Sequence, residues 1–156
     1  MKSGRQVMLI LDTCALIYDA LCPNSLSRKA EKAITKGDED VLLACSDISI
    51  WEIAMLIGKG RLDPGTDAIT FLRLVNSARK IRVIPISPEI AATSASSSLF
   101  VHGDPADRII AATAIWSSTT RIFALGDAVF ESASPSVCFL PAAAAECTIR
   151  VLTIHC

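Results

Sequence analysis

Apolar runs and amphipathic stretches alternate along the chain. Residues 7–11 (Val-Met-Leu-Ile-Leu) form an unbroken apolar run of strand length. Apolar side chains on both faces suit a central strand of a parallel sheet. The run stops at Asp12-Thr13-Cys14, and Ala15-Leu16-Ile17-Tyr18 begins a helical pattern. Residues 25–36 put Leu26, Ala30, Ala33 and Ile34 on one helical face and Arg28, Lys29, Glu31, Lys32 and Lys36 on the other. Gly37 is placed to stop that helix. Residues 41–44 predict a second strand. Ser46 is placed to cap a helix that runs to about Ile57 and ends near Gly58-Lys59-Gly60. This helix is apolar nearly all round, which predicts burial, and Glu52 stands in its middle.

The rhythm continues. Thr66 or Asp67 opens a helix through Phe71, Leu72, Leu74 and Val75, with Arg73, Arg79 and Lys80 outside. Residues 83–86 predict a third strand, whose Pro85 marks an edge or an end. Pro88 opens a short helix through Ile90 and Ala92. His102-Gly103-Asp104-Pro105-Ala106-Asp107-Arg108 then starts a helix to about Ser118. Asp104 can cap its free N–H groups, and Pro105 loses no hydrogen bond at the first helical position. Residues 121–125 predict a fourth strand ending at Gly126-Asp127. Beyond it, residues 137–140 and 148–154 are alternative last strands. Strands alternating with helices predict an α/β fold: one domain whose mostly parallel sheet of four to five strands is flanked by helices on both faces.

With 51% apolar and 20% charged residues in 156, the chain is globular and long enough for a real core. A net charge of −1 gives no general attraction to nucleic acid, so any such contact needs a local basic patch. The basic residues of 25–36 are open to two readings, a solvated face or that patch. From Ile109 onward only Arg121, Asp127, Glu131, Glu146 and Arg150 are charged, which predicts a half that is mostly buried or partly covered by a partner. Six cysteines form no C-x-x-C pair, and Met1-Lys2-Ser3-Gly4-Arg5 is no signal peptide. Reduced thiols in a cytoplasmic protein follow as the expectation. No apolar run is long enough to span a bilayer, so no membrane is expected.

The candidate chemistry lies in isolated acids. Asp12 and Asp127 each follow a buried strand, at the carboxyl end where open α/β sheets place ligands. Asp12 serves equally well as a helix cap. A lone Glu52 in an apolar helix costs several kcal/mol unless it is protonated, paired or metal-bound. A Glu–Arg pair, or a narrow polar stripe shared with Ser49, would also account for it. If the first and fourth strands are neighbours, Asp12 and Asp127 come together, and Asp107 opens the helix that feeds the fourth strand. Such carboxylates repel one another until their pKa values rise or a cation holds them. Oxygen-only donors suit Mg²⁺ or Mn²⁺ rather than Zn²⁺. With only His102 and His155 in the chain, the composition argues against zinc hydrolysis and a Ser-His-Asp triad. Neither a G-x-x-x-x-G-K-[ST] nor a G-x-G-x-x-G is present. A hard cation on acids clamps phosphate oxygens, so phosphodiester hydrolysis is the natural chemistry. Arg108, Lys59, Arg61 and Arg28 are candidates for backbone contacts, with a structural ion pair the alternative for Arg108.

These segments, in this order, resemble the PIN-domain family, most closely the VapC-type toxins of toxin–antitoxin pairs. The resemblance covers about residues 5–130 and rests on residues 7–18, 46–62, 102–114 and 122–127, with Trp51-Glu52-Ile53-Ala54 and His102-x-Asp104-Pro105-x-Asp107-Arg108 intact. It implies a PIN-like nuclease domain at residues 1–130, with 131–156 as an extension or the last strand of the same domain. It implies an endoribonuclease dependent on Mg²⁺ or Mn²⁺, an RNA substrate, a homodimer and a small antitoxin partner. By matched position its acids fall on Asp12, Glu52, Asp107 and Asp127, as catalytic residues and metal ligands. Asp104 matches as cap and support. Leu125-Gly126 replaces the family's threonine context before the fourth acid. The alternatives are a PIN-fold binding or structural module without nuclease activity, and a PIN nuclease acting on DNA or in RNA processing.

Overall fold

The computed structural model describes residues 8–96, 104–117, 120–123 and 129–131. Along the chain come β1 (Met8–Leu11), α1 (Thr13–Leu21), a 3-10 turn (Pro23–Ser25), α2 (Arg28–Glu39), β2 (Leu43–Ser46), α3 (Asp47–Gly58) and α4 (Ala68–Ala78). Then follow β3 (Arg82–Ile84), α5 (Pro88–Ala95), α6 (Pro105–Trp116), β4 (Thr120–Phe123) and β5 (Val129–Glu131). The sheet order is β3-β2-β1-β4-β5. β3, β2, β1 and β4 run parallel, and β5 pairs antiparallel with β4.

The two faces of β1 and β2 are both buried, and alternation decides which residue goes where. Leu9, Leu11, Leu43 and Cys45 point into one cluster with Leu16 of α1, Ile34 of α2, Ile53 and Leu56 of α3, and Phe71 and Val75 of α4. Ile10 and Ala44 point the other way, against Ile110 and Ala114 of α6. Helices therefore cover both faces of a mainly parallel sheet, as the alternating pattern predicts. β3, with its following Pro85, is an edge strand. Burial pushes the Cys45 thiol up to about 12, so it stays a neutral core group. Among the described residues no helix is long and apolar enough to cross a membrane.

Several local expectations give way to packing. Gly37 does not stop α2; it lies inside the helix and is buried. A Cβ there would come 2.5 Å from Leu43 Cδ2, so the glycine admits the strand's side chain. The helix ends instead at Val41, whose φ is 55°. Leu42 N donates to Gly37 O and Val41 N to Asp38 O, the paired bonds of a Schellman ending. Residue 41 is thus an exposed turn residue, and β2 starts at Leu43. α3 closes in the same way around Gly60, and α4 ends with Lys80 in the left-handed position and Ile81 N donating to Asn76 O. Arg79 does not stand free outside α4. Its Nε and Nη2 donate to both oxygens of Asp19 (3.0 and 2.9 Å), and Nη1 reaches Asp38 at 3.5 Å. One guanidinium thereby ties the end of α4 to α1 and α2. β5 falls where no strand is expected, while the alternatives at 137–140 and 148–154 lie outside the described residues.

Candidate active site

β1 carries Asp12 to the carboxyl edge of the sheet. There Asp12 is the N-cap of α1, its Oδ1 accepting from Ala15 N at 2.6 Å. Capping fixes the carboxyl's direction. Parallel pairing of β1 with β4 sets Leu11 opposite Phe123, so the ends of these strands are neighbours as expected. Asp127, four positions beyond Phe123, lies outside the described residues, as does His102.

Glu52 stands in the second turn of α3, half-buried. Neither structural explanation offered for it holds among the described residues. No Lys or Arg is among the groups that set its ionisation, and Ser49, the expected companion on a polar stripe, is fully buried. Its partner is the Thr13 hydroxyl, which donates to Oε2. Burial raises the Glu52 carboxyl above its usual range, the Thr13 bond opposes that, and the charges of Asp104, Asp107 and Asp12 push it further up.

The mouth of α6 supplies the remaining acids. Asp104 is its N-cap, accepting from Ala106 N at 2.9 Å, and Pro105 takes the first helical position. Asp107 stands in the first turn, open to solvent on one side. The surrounding protein still removes enough water to raise its carboxyl, and Asp104 adds to the rise. Asp12, Glu52, Asp104 and Asp107 therefore share one electrostatic field, although they come from three separate elements. Among the described residues no three Asp, Glu, His or Cys side chains already stand together as a metal cage. The donor set nonetheless fits a hard divalent cation: all oxygen, partly dehydrated and mutually repelling.

The other expectations at this edge are mixed. Ser46 occupies the N-cap position of α3 but makes no capping bond; its buried hydroxyl instead accepts from Thr113 Oγ1 of α6 at 3.3 Å. α3 is not buried all round, because Trp51 is 58% exposed. Arg108 follows Asp107 and is half-buried. Lys59 lies seven residues past Glu52 along α3, roughly 10 Å away at helical rise, and Arg61 is beyond it. The position missed by sequence reasoning is Thr13. Its signal was a hydroxyl directly after the strand-end acid, and nothing local pairs it with a glutamate 39 residues away.

Residues 9–133 match the PIN domain family. Over 116 residues the chain is 34% identical to Ribonuclease VapC22 of Mycobacterium tuberculosis, a span of 72% of this chain and 85% of that protein. A family match across most of the chain, and a relative of this identity over this length, agree with the sheet order and the acids at its carboxyl edge: the chain belongs to the PIN domain family and is of the VapC type.

Proposed function

We propose that the chain is a metal-dependent endoribonuclease, the toxin of a toxin–antitoxin pair, acting on RNA phosphodiester bonds at the acids around Glu52. The observation that carries this reading is the set of neighbouring charges that oppose ionisation of Glu52. A shared divalent cation would reverse that opposition. The relative's name, a ribonuclease, supports the substrate class. Asp12, Glu52, Asp107 and Asp127 would hold Mg²⁺ or Mn²⁺, which when bound supplies an activated water and neutralises charge on the leaving oxygen.

The chain's own contribution is positioning. The Thr13 hydroxyl orients Glu52 and favours its ionised form. The Ala15 amide orients Asp12. Asp104 fixes the first turn of α6, on which Asp107 stands. Arg108, the next residue of α6, would meet a phosphate. Residues 1–130 form the nuclease unit in this reading, with 131–156 as its extension. The protein works as a cytoplasmic homodimer, held in check by an antitoxin that covers the acids.

Asp12→Asn and Asp107→Asn are each expected to abolish metal-dependent cleavage of RNA and to relieve growth arrest, with the circular dichroism spectrum retained. Full activity in either variant removes the assignment. A second reading, a binding or structural module without nuclease activity, draws on the lack of a ready-made metal cage among the described residues. Titration calorimetry separates the two, since no heat of binding at millimolar Mn²⁺ favours the second.

A further inference from the structure

Beside the acids lies a feature that the proposed chemistry does not use. Asp47, Ile48 and Trp51 of α3, with Ile86 just past β3, line an open groove of about 370 Å³. Trp51 is 58% exposed and Ile86 39% exposed, so two large apolar side chains face water here. The groove has one charged member. Asp47 Oδ2 accepts from Ile86 N at 3.0 Å, while Oδ1 is shielded from water and has no hydrogen-bond partner among the described residues.

The groove occupies the same edge of the molecule as the acids. Asp47 follows the carboxyl end of β2, Ile86 follows that of β3, and Asp12 follows that of the adjacent β1. Neighbouring strands are spaced about 4.8 Å apart, so the backbone at Asp47 and at Ile86 lies roughly 5 and 10 Å from that at Asp12 along the edge. Trp51 is also the residue directly before Glu52. The groove is thus within reach of a strand of nucleic acid cut at the acids.

We propose that the groove is a nucleobase subsite, which takes a base carrying an exocyclic amine from the RNA strand next to the scissile bond. This rests on the ribonuclease reading and adds to it which part of the substrate is read. The chemistry selects the occupant. An indole flanked by isoleucines offers a stacking surface to the flat face of any base. Asp47 Oδ2, whose bond with Ile86 N is exposed, has a second lone pair that repels phosphate but accepts from an amino group, so it draws in a base edge rather than the backbone. Adenine, cytosine and guanine carry such an amine, and uracil does not.

The test uses the full chain and labelled RNA hexamers, uridine throughout except for one central A, C, G or U. Binding is followed by fluorescence anisotropy without metal and cleavage by gel with Mn²⁺. For the wild type, the three amine-bearing hexamers should bind tighter than the all-uridine one. Trp51→Ala should weaken all four by about 10-fold, with Trp51→Phe retaining most of the affinity. Asp47→Asn, which keeps an oxygen for Ile86 N, should erase the preference over uridine while leaving overall binding in place. If Trp51→Ala binds and cleaves all four hexamers as the wild type does, the subsite is overturned. It is overturned equally if the effect of Trp51→Ala is confined to self-association in sedimentation, which assigns the groove to a second copy of the chain. A wild type that cleaves RNA while Trp51→Ala is unaffected removes the subsite alone. A wild type that neither binds nor cleaves RNA removes the ribonuclease reading and the subsite together.

Discussion

Thr13→Val tests whether the hydroxyl at the base of the site tunes its central acid. Thr13 is 6% exposed, and its Oγ1 donates to Glu52 Oε2. Valine keeps the side chain's shape and removes the donor. A hydrogen bond to a charged group contributes about 1.5–3 kcal/mol. At about 1.4 kcal/mol per tenfold, its loss disfavours ionised Glu52 by roughly 10- to 150-fold. The direction follows from the other influences on this carboxyl. Burial and the charges of Asp104, Asp107 and Asp12 all raise it, and the Thr13 side-chain bond is the contact that lowers it. In Thr13→Val the acidic limb of the cleavage profile should therefore move to higher pH, with rates on that limb reduced by that factor and the alkaline plateau retained. The assay is RNA cleavage against pH at saturating Mn²⁺ for the wild type, Thr13→Val and Thr13→Ser. Serine keeps the hydroxyl, so its profile should stay with the wild type. Superimposable profiles for wild type and Thr13→Val would refute the reasoning. So would a Thr13→Ser profile displaced as far as that of valine, because the methyl group would then be responsible.

The remaining predictions concern stability as much as activity. Asp107→Asn should raise the metal-free melting temperature at pH 8 but not at pH 3, measured by calorimetry. The sign follows from its raised carboxyl: the folded state binds the proton more tightly, so that stability is present at low pH and lost as pH rises through the folded-state pKa. Arg79→Met should cost about 2 kcal/mol in urea unfolding, between the values for exposed and buried pairs, because the Asp19 side chain is 10% exposed and that of Arg79 32%. For a chain of this size that corresponds to roughly 4–8 °C. Val41→Gly should stabilise by about 0.5–1 kcal/mol in the same assay, since a left-handed β-branched residue costs about 1–2 kcal/mol and glycine's extra entropy returns part of it. Gly37→Ala should instead lose about 1 kcal/mol, because crowding of Leu43 exceeds the gain in helix propensity.

Much of the candidate site was legible because it is local. Asp12 at the end of an apolar run, and Asp104-Pro105 before a charge-poor stretch, identify strand end and helix start through neighbours within one turn. The structure uses both as caps. The adjacency of β1 and β4 was allowed by general rules of α/β connection but left as a condition, which the parallel pairing of these strands meets. The same local rules misplaced the end of α2. Local preference favours Gly37 over Val41 as a left-handed terminus, but Gly37 stays inside the helix, where it leaves room for Leu43 of the next strand.

The amino-acid sequence by itself determined the α/β class, the strand-end position of Asp12, the capped mouth of α6 and the isolation of Glu52 in an apolar helix. Hydrophobic period and capping depend only on residues a few positions apart, so they can be read along the chain. Tertiary structure alone decided that Thr13 holds Glu52, that Arg79 joins three helices, that Ser46 bonds to Thr113 rather than capping, and that Trp51 faces water beside Ile86. Each of these depends on which strand lies beside which and how far each helix turns. That is set when the whole core closes, since two side chains far apart in sequence meet only after the sheet order between them is fixed.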